Sequence, residues 1–158
     1  MNTKLTPITQ DSLKEASALI QAGQLVAFPT ETVYGLGGSA LDAQAVLNIF
    51  RAKERPVDNP LIVHIASREQ AFPLCHWTDL ADTLASAFWP GPLTLLLRRT
   101  ELVPDVVTAG LSTVALRLPD HEGALAFLRA CALPVAAPSA NRSGRPSPTT
   151  AGHVLADL

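Results

Sequence analysis

Five short, dominantly apolar runs, Leu25–Phe28, Leu61–Ile65, Leu93–Leu97, Val114–Leu118 and Pro134–Ala137, interrupted only by His64, Thr94 and Arg117, constrain this chain most. Each is too short for a buried helix and lacks the polar alternation of a half-exposed strand, so each reads as a strand covered on both faces. Segments of helical periodicity lie between them. Asp11 or Ser12 starts a helix that Gly23 ends. Asp42 opens a second with Val46, Leu47, Ile49 and Phe50 on one face. Thr78 or Asp79 opens a third, Asp120 a fourth, and the last begins near Thr149. Strands alternating with helices predict an α/β domain with a mixed, largely parallel, twisted sheet flanked by helices. Its 158 residues suffice for one domain with a real core.

The polar stretches between these runs hold the candidate chemistry. Arg51, Lys53 and Arg55 fall at alternate positions, followed by Pro56, Asp58, Asn59 and Pro60. Prolines remove backbone donors and push the residue before them toward extended conformations. The segment therefore reads as a stiff basic loop feeding a buried strand, either plainly solvated or holding cations beside an anionic ligand. Pro29–Gly38 is rich in hydroxyls and glycines, which suits close approach to a ligand and equally a simple glycine turn. Ala137–Thr150 carries Ser139, Asn141, Ser143, Ser147, Arg142 and Arg145. Those are donors for phosphate oxygens, or caps and turns for the last helix. Three loops follow strands, at Pro29, Ala66 and Pro138, where ligands gather in open α/β sheets. Arg117 lies in an apolar strand and needs a carboxylate partner, from the chain or from a substrate. His64 in its strand reads as a core residue.

Other chemistries fit poorly. Six residues separate Phe28 from Gly35-x-Gly37-x-x-Ala40, and no carboxylate ends the next strand, which weighs against a dinucleotide fold. There is no P-loop, no HExxH and no Ser-His-Asp order, and Cys75-His76 is too isolated to be a metal site. Net charge is −2, so no general basic field exists for nucleic acid. However, five of the twelve Lys and Arg residues lie at 51–55 and 142–145, so an anion site should be local. No run is long enough for a membrane span, MNTKLTPITQ has no apolar signal core, and Cys75 and Cys131 suit a reducing compartment. These point to the cytoplasm.

Taken in order, FPTETVYGLGG, KERPVDNPLIVHI, WPGPLTLLL, STVALRLP and APSANRSGRPSPTT resemble the YrdC-like threonylcarbamoyl-AMP synthases over about residues 10–158. The resemblance implies a twisted YrdC/RibB-type sheet with a positively charged concave face. It implies synthesis of threonylcarbamoyl-adenylate from L-threonine, bicarbonate and ATP with release of pyrophosphate. Partner proteins would then pass the threonylcarbamoyl group to tRNA, next to the anticodon. The family's K-x-R and S-x-N signatures match Lys53-Glu54-Arg55 and Ser139-Ala140-Asn141. Lys53 and Arg55 are then expected to be catalytic. Arg55, Asn59, Thr113, Ser139, Asn141 and Ser147 are expected to contact ATP, and Thr32, His64, Arg117 and the Ala137 backbone to hold threonine. Mg2+ would come with the nucleotide, with no protein ligands to a metal. Glu54 stands where the family more often has glycine. In the family the domain continues with a further strand and loop, and longer members add a C-terminal domain. On that expectation residues 1–158 are one YrdC-like domain without its C-terminal part. A tRNA-binding module without catalysis and a carbamoyl-adenylate-forming domain of a carbamoyltransferase are the alternative readings.

Overall fold

The computed structural model describes residues 3–158. In chain order the elements are α1 (Gln10–Gln21), β1 (Val26–Phe28), β2 (Gly35–Ser39), α2 (Ala43–Ala52), β3 (Ile62–His64), a 3-10 turn at Arg68–Gln70, α3 (Asp79–Phe88), β4 (Leu95–Arg98), the short α4 (Asp105–Thr108), β5 (Thr113–Arg117), α5 (Glu122–Cys131), β6 (Val135–Ala136) and α6 (Ala151–Asp157). The strands form one open six-stranded sheet in the order β1-β2-β6-β3-β5-β4, flanked by helices. It is the mixed α/β fold that the alternation of runs predicts.

The balance of directions differs from the largely parallel expectation. Only β3 and β5 run parallel, and the pairs β1–β2, β2–β6, β6–β3 and β5–β4 are antiparallel. The cause is β2, whose sequence GLGGS has little strand propensity and reads as loop. Packing overrides that preference. A Cβ on Gly37 would sit 2.8 Å from Val135 Cγ1, and one on Gly38 would sit 3.1 Å from Leu25 Cδ2 and 3.2 Å from Ile49 Cδ1. The strand is pressed from both faces, and only glycine fits. Once β2 exists, β1–β2 is a hairpin and β6 enters antiparallel beside it.

Two apolar clusters cover the sheet. The larger includes Leu36, Val46, Ile49, Phe50, Val63, Val107, Val114, Leu116 and Ala136. The smaller gathers Ile20, Phe28, Ala124, Phe127, Leu128, Val135 and Ala137, bringing α1 and α5 together. Adjacent residues of β6, Val135 and Ala136, thus enter opposite clusters, as strand alternation requires. Coverage fails toward β4. Leu96 is 66% exposed, and its row across the sheet, Ala115 and Ile62, is only partly buried. The LTLLL run therefore belongs to an edge strand with one open face.

Helix starts follow local chemistry. Thr9 and Ser12 form a capping box for α1, with the N-cap two residues before the expected Asp11. Asp42 and Thr78 cap α2 and α3. His121, not Asp120, caps α5, its ring nitrogen accepting from Ala124 N at 3.2 Å. Among the described residues no helix is long and apolar enough to cross a membrane.

Candidate active site

Three polar segments meet beside the sheet. Tyr34 N donates to Pro148 O and Ala140 N to Tyr34 O, each at 2.8 Å, and Leu36 N donates to Pro138 O at 2.8 Å. These bonds sew the loop after β1 to the loop after β6. The third segment arrives through Lys53, which follows α2. Its ammonium is buried and donates to the carbonyl of Ser139 at 2.5 Å and to that of Asn141. The Lys53 carbonyl accepts from Ser143 N at 2.9 Å, closing the link. Burial, with repulsion from Arg55, pulls the Lys53 pKa down to about 8. The K-x-R and S-x-N signatures are thus one hydrogen-bonded unit, although 86 residues separate Lys53 from Ser139.

Around this clamp the candidates divide. Arg55 donates to Asn59 O at 3.2 Å, and its guanidinium lies 5.8 Å from the centre of the Phe50 ring. Burial lowers the Arg55 pKa, with Asp58 opposing. The Asn141 amide donates to the carbonyls of Arg142 and Arg145 at 2.8 Å each, while its buried Oδ1 has no partner. Glu54 has φ +51°, a left-handed conformation that favours glycine. That backbone accounts for a glycine preference at the position. The Glu54 carboxylate pairs with Arg142 at 3.3 Å rather than lying between the two cations of its motif.

The second group lies around β3 and β5. His64 and Arg117 are register partners on β3 and β5, and Thr113, Ala115 and Arg117 point to one side of β5. Arg117 is buried, and its Nη2 donates to Glu31 Oε1 at 2.8 Å and to Thr32 Oγ1 at 3.1 Å. The sequence left open whether its partner comes from the chain or from a ligand; Glu31 is the partner from the chain. Arg117 Nε and His64 Nδ1 are buried without partners. Burial, and then Arg117, push the His64 pKa down to about 4, so its imidazole is neutral. Ala137 N donates to Ile62 O at 2.9 Å, which leaves its carbonyl as the backbone group for a ligand.

Thr113 and Arg117 are separated by four strand residues, roughly 13 Å at about 3.3 Å each. Thr113 sits at the strand end shared with the Ser139 loop, and Arg117 at the other. The structure links Lys53, Ser139 and Asn141, pairs Arg55 with Asn59, and joins Thr32 to Arg117 beside His64. Thr113 and the exposed Ser147 make no side-chain hydrogen bond to any of them. The Ala66 loop leaves the opposite end of β3 from the clamp, because β6 runs antiparallel to β3. Sequence reasoning passed over Glu31; a lone carboxylate among the hydroxyls of PTET was its signal. Among the described residues no group of three or more His, Cys, Asp or Glu is placed to hold a metal ion.

This is an α/β domain whose lysine clamp joins two polar loops at one end of an open sheet, with a buried arginine at the other. Residues 18–158 match the Sua5/YciO/YrdC family model, described as "Telomere recombination", and the chain belongs to that family. A threonylcarbamoyl-AMP synthase of Pyrococcus abyssi is 56% identical over 96% of this chain and 45% of its own length. One of Bacillus subtilis is 54% identical over 92% and 43%. The crystal structure of P. abyssi Sua5 complexed with L-threonine superposes with a TM-score of 0.93, covering 96% of this chain and 45% of that one. The chain thus spans somewhat under half the length of these relatives.

Proposed function

We propose that the protein makes threonylcarbamoyl-adenylate from L-threonine, bicarbonate and ATP, releasing pyrophosphate. The observation that carries this reading is the Lys53 clamp, which builds the two signature loops into one cationic, donor-rich corner. The names of the relatives agree with it.

The threonine amine, having lost a proton from its ammonium form, adds to bicarbonate with expulsion of water to give a carbamate, whose oxygen attacks the α-phosphorus of ATP as pyrophosphate leaves. The nucleophile is already anionic, so the difficulty is bringing anions together rather than removing a proton. Arg55 neutralises charge on the phosphates. Lys53 uses two N–H bonds on the Ser139 and Asn141 carbonyls and keeps a third for a phosphate oxygen. Asn59, Thr113, Ser139, Asn141 and Ser147 line the nucleotide end. Thr32, His64, Arg117 and the Ala137 carbonyl hold the amino acid, with the neutral imidazole adding no charge to the seat. Mg2+ travels with the nucleotide and shares its phosphate charge. The product passes to partner proteins that modify tRNA, in the cytoplasm, where the two buried free thiols stay reduced.

The test is pyrophosphate release from ATP that requires both L-threonine and bicarbonate. Arg55→Ala is expected to lower it at least about a hundredfold. Undiminished release in that variant, or release supported by carbamoyl phosphate in place of threonine and bicarbonate, overturns the assignment.

A further inference from the structure

A buried guanidinium needs a counter-charge when its ligand is away. Arg117 finds it in Glu31, at 2.8 Å through Nη2. Burial alone would raise the Glu31 pKa, but Arg117 and the backbone groups of Glu31 and Asp120 outweigh it and hold the carboxyl below its ordinary value. The pair therefore stands as two ions. Its geometry is nevertheless incomplete, because Arg117 Nε has no acceptor and neither has His64 Nδ1 a partner beside it. A guanidinium presenting Nε and Nη2 along one edge takes a carboxylate in two parallel bonds. Glu31 uses only the Nη2 half.

We propose that Glu31 is a resident stand-in for the substrate's carboxylate, which displaces it from Arg117 and so sets how tightly the amino acid binds. This rests on the assignment of the Arg117 end to the amino acid given above. Occupancy of one edge carries the argument. Nη2 has two N–H groups, and Glu31 and Thr32 take them. A carboxylate laid across the free Nε and Nη2 needs the N–H that Glu31 holds, and because the amino acid's ammonium balances its own charge, the contest is for that N–H rather than for net charge. Glu31 is able to leave. It sits in the loop between β1 and β2, and its side chain is already one-fifth exposed to solvent. Thr32 stays on the guanidinium, because its neutral hydroxyl carries no charge to repel the newcomer. Glu31 thus keeps Arg117 paired and oriented in the empty site and weakens binding by competing for the same atoms.

The experiment titrates L-threonine and threoninol, which lacks the carboxylate, into the protein and into Glu31→Gln by calorimetry, with melting temperatures as a check on folding. Glu31→Gln should bind L-threonine about threefold to fivefold more tightly, the range of a partly exposed ion pair. Threoninol binding should not change. Glu31→Ala should shift L-threonine in the same direction. Equal or weaker binding of L-threonine by both variants overturns the proposal, since Glu31 would then be neutral or helpful to binding. A parallel shift for threoninol also overturns it, because a general change in the loop would explain both. Failure of the unmodified protein to bind L-threonine sinks the synthase reading itself, a result distinct from unchanged affinity in the variants.

Discussion

Replacing Lys53 by methionine keeps most of the side-chain volume and removes both bonds of the clamp. Two carbonyls, of Ser139 and Asn141, then lose their donor. At about 1–3 kcal/mol for each unsatisfied buried group the loss is ~2–6 kcal/mol. Against this, the variant no longer buries an ammonium beside Arg55. That burden is read from the fall in pKa from 10.5 to about 8, or ~3 kcal/mol at about 1.4 kcal/mol per unit. The net change therefore runs from ~1 kcal/mol of stabilisation to ~3 kcal/mol of destabilisation, the latter lowering the melting temperature by about 10 °C at most in a domain of this size. The local effect is larger, because the loop from Pro138 to Pro148 loses its tie to the K-x-R segment. ATP affinity should fall at least about tenfold, ~1.4 kcal/mol. Urea denaturation gives the first quantity and calorimetric titration with ATP the second. If Lys53→Met binds ATP within twofold of the unmodified protein, the clamp does not organise the nucleotide end. A stability loss well above ~5 kcal/mol would show that the buried ammonium is strongly stabilising and that the opposing terms were misjudged.

Two further outcomes follow from groups on either side of the clamp. His64 takes up a proton near pH 6.5 when unfolded but only near pH 4 in the fold. Its contribution is therefore complete above pH 6.5 and lost as pH falls toward 4, by ~3 kcal/mol; His64→Gln should flatten that part of the urea-derived stability profile, and an unchanged slope refutes the attribution. Gly37→Ala places a methyl group 2.8 Å from Val135 Cγ1 and 3.0 Å from Phe28 Cε1. It should destabilise the protein by about 1–3 kcal/mol, and a variant as stable as the original would mean that β2 is not packed as described.

Periodicity and caps revealed the elements that dominate their own neighbourhood. All five apolar runs overlap strands, and Asp42 and Thr78 cap their helices as their side chains predict. What stayed hidden depends on distant neighbours. GLGGS becomes a strand because Val135, Phe28, Leu25 and Ile49 leave room only for glycine. LTLLL reads as buried, yet Leu96 faces solvent because β4 lies at the sheet edge. The four-residue α4 is too short for a periodic signal. In the candidate site the composition of the loops was legible and their wiring was not. Backbone carbonyls hold Lys53, and every residue carries one, so no side-chain pattern marks Ser139 and Asn141 as its partners. Arg117 visibly needed a carboxylate, but only the return of the β1–β2 loop selects Glu31.

The two residues of β6 have a mechanical consequence. Val135 is registered with both Ser39 and His64, and Ala136 with both Gly38 and Val63. This narrow seam joins the leaf that carries Glu31 and Thr32 to the leaf that carries Arg117. Any twist of one leaf against the other is passed through it and alters the gap between that loop and the guanidinium. The setting of Glu31 and Thr32 against Arg117 is thereby governed from the middle of the sheet, and a single methyl group added or removed at Val135 or Ala136 will be felt there.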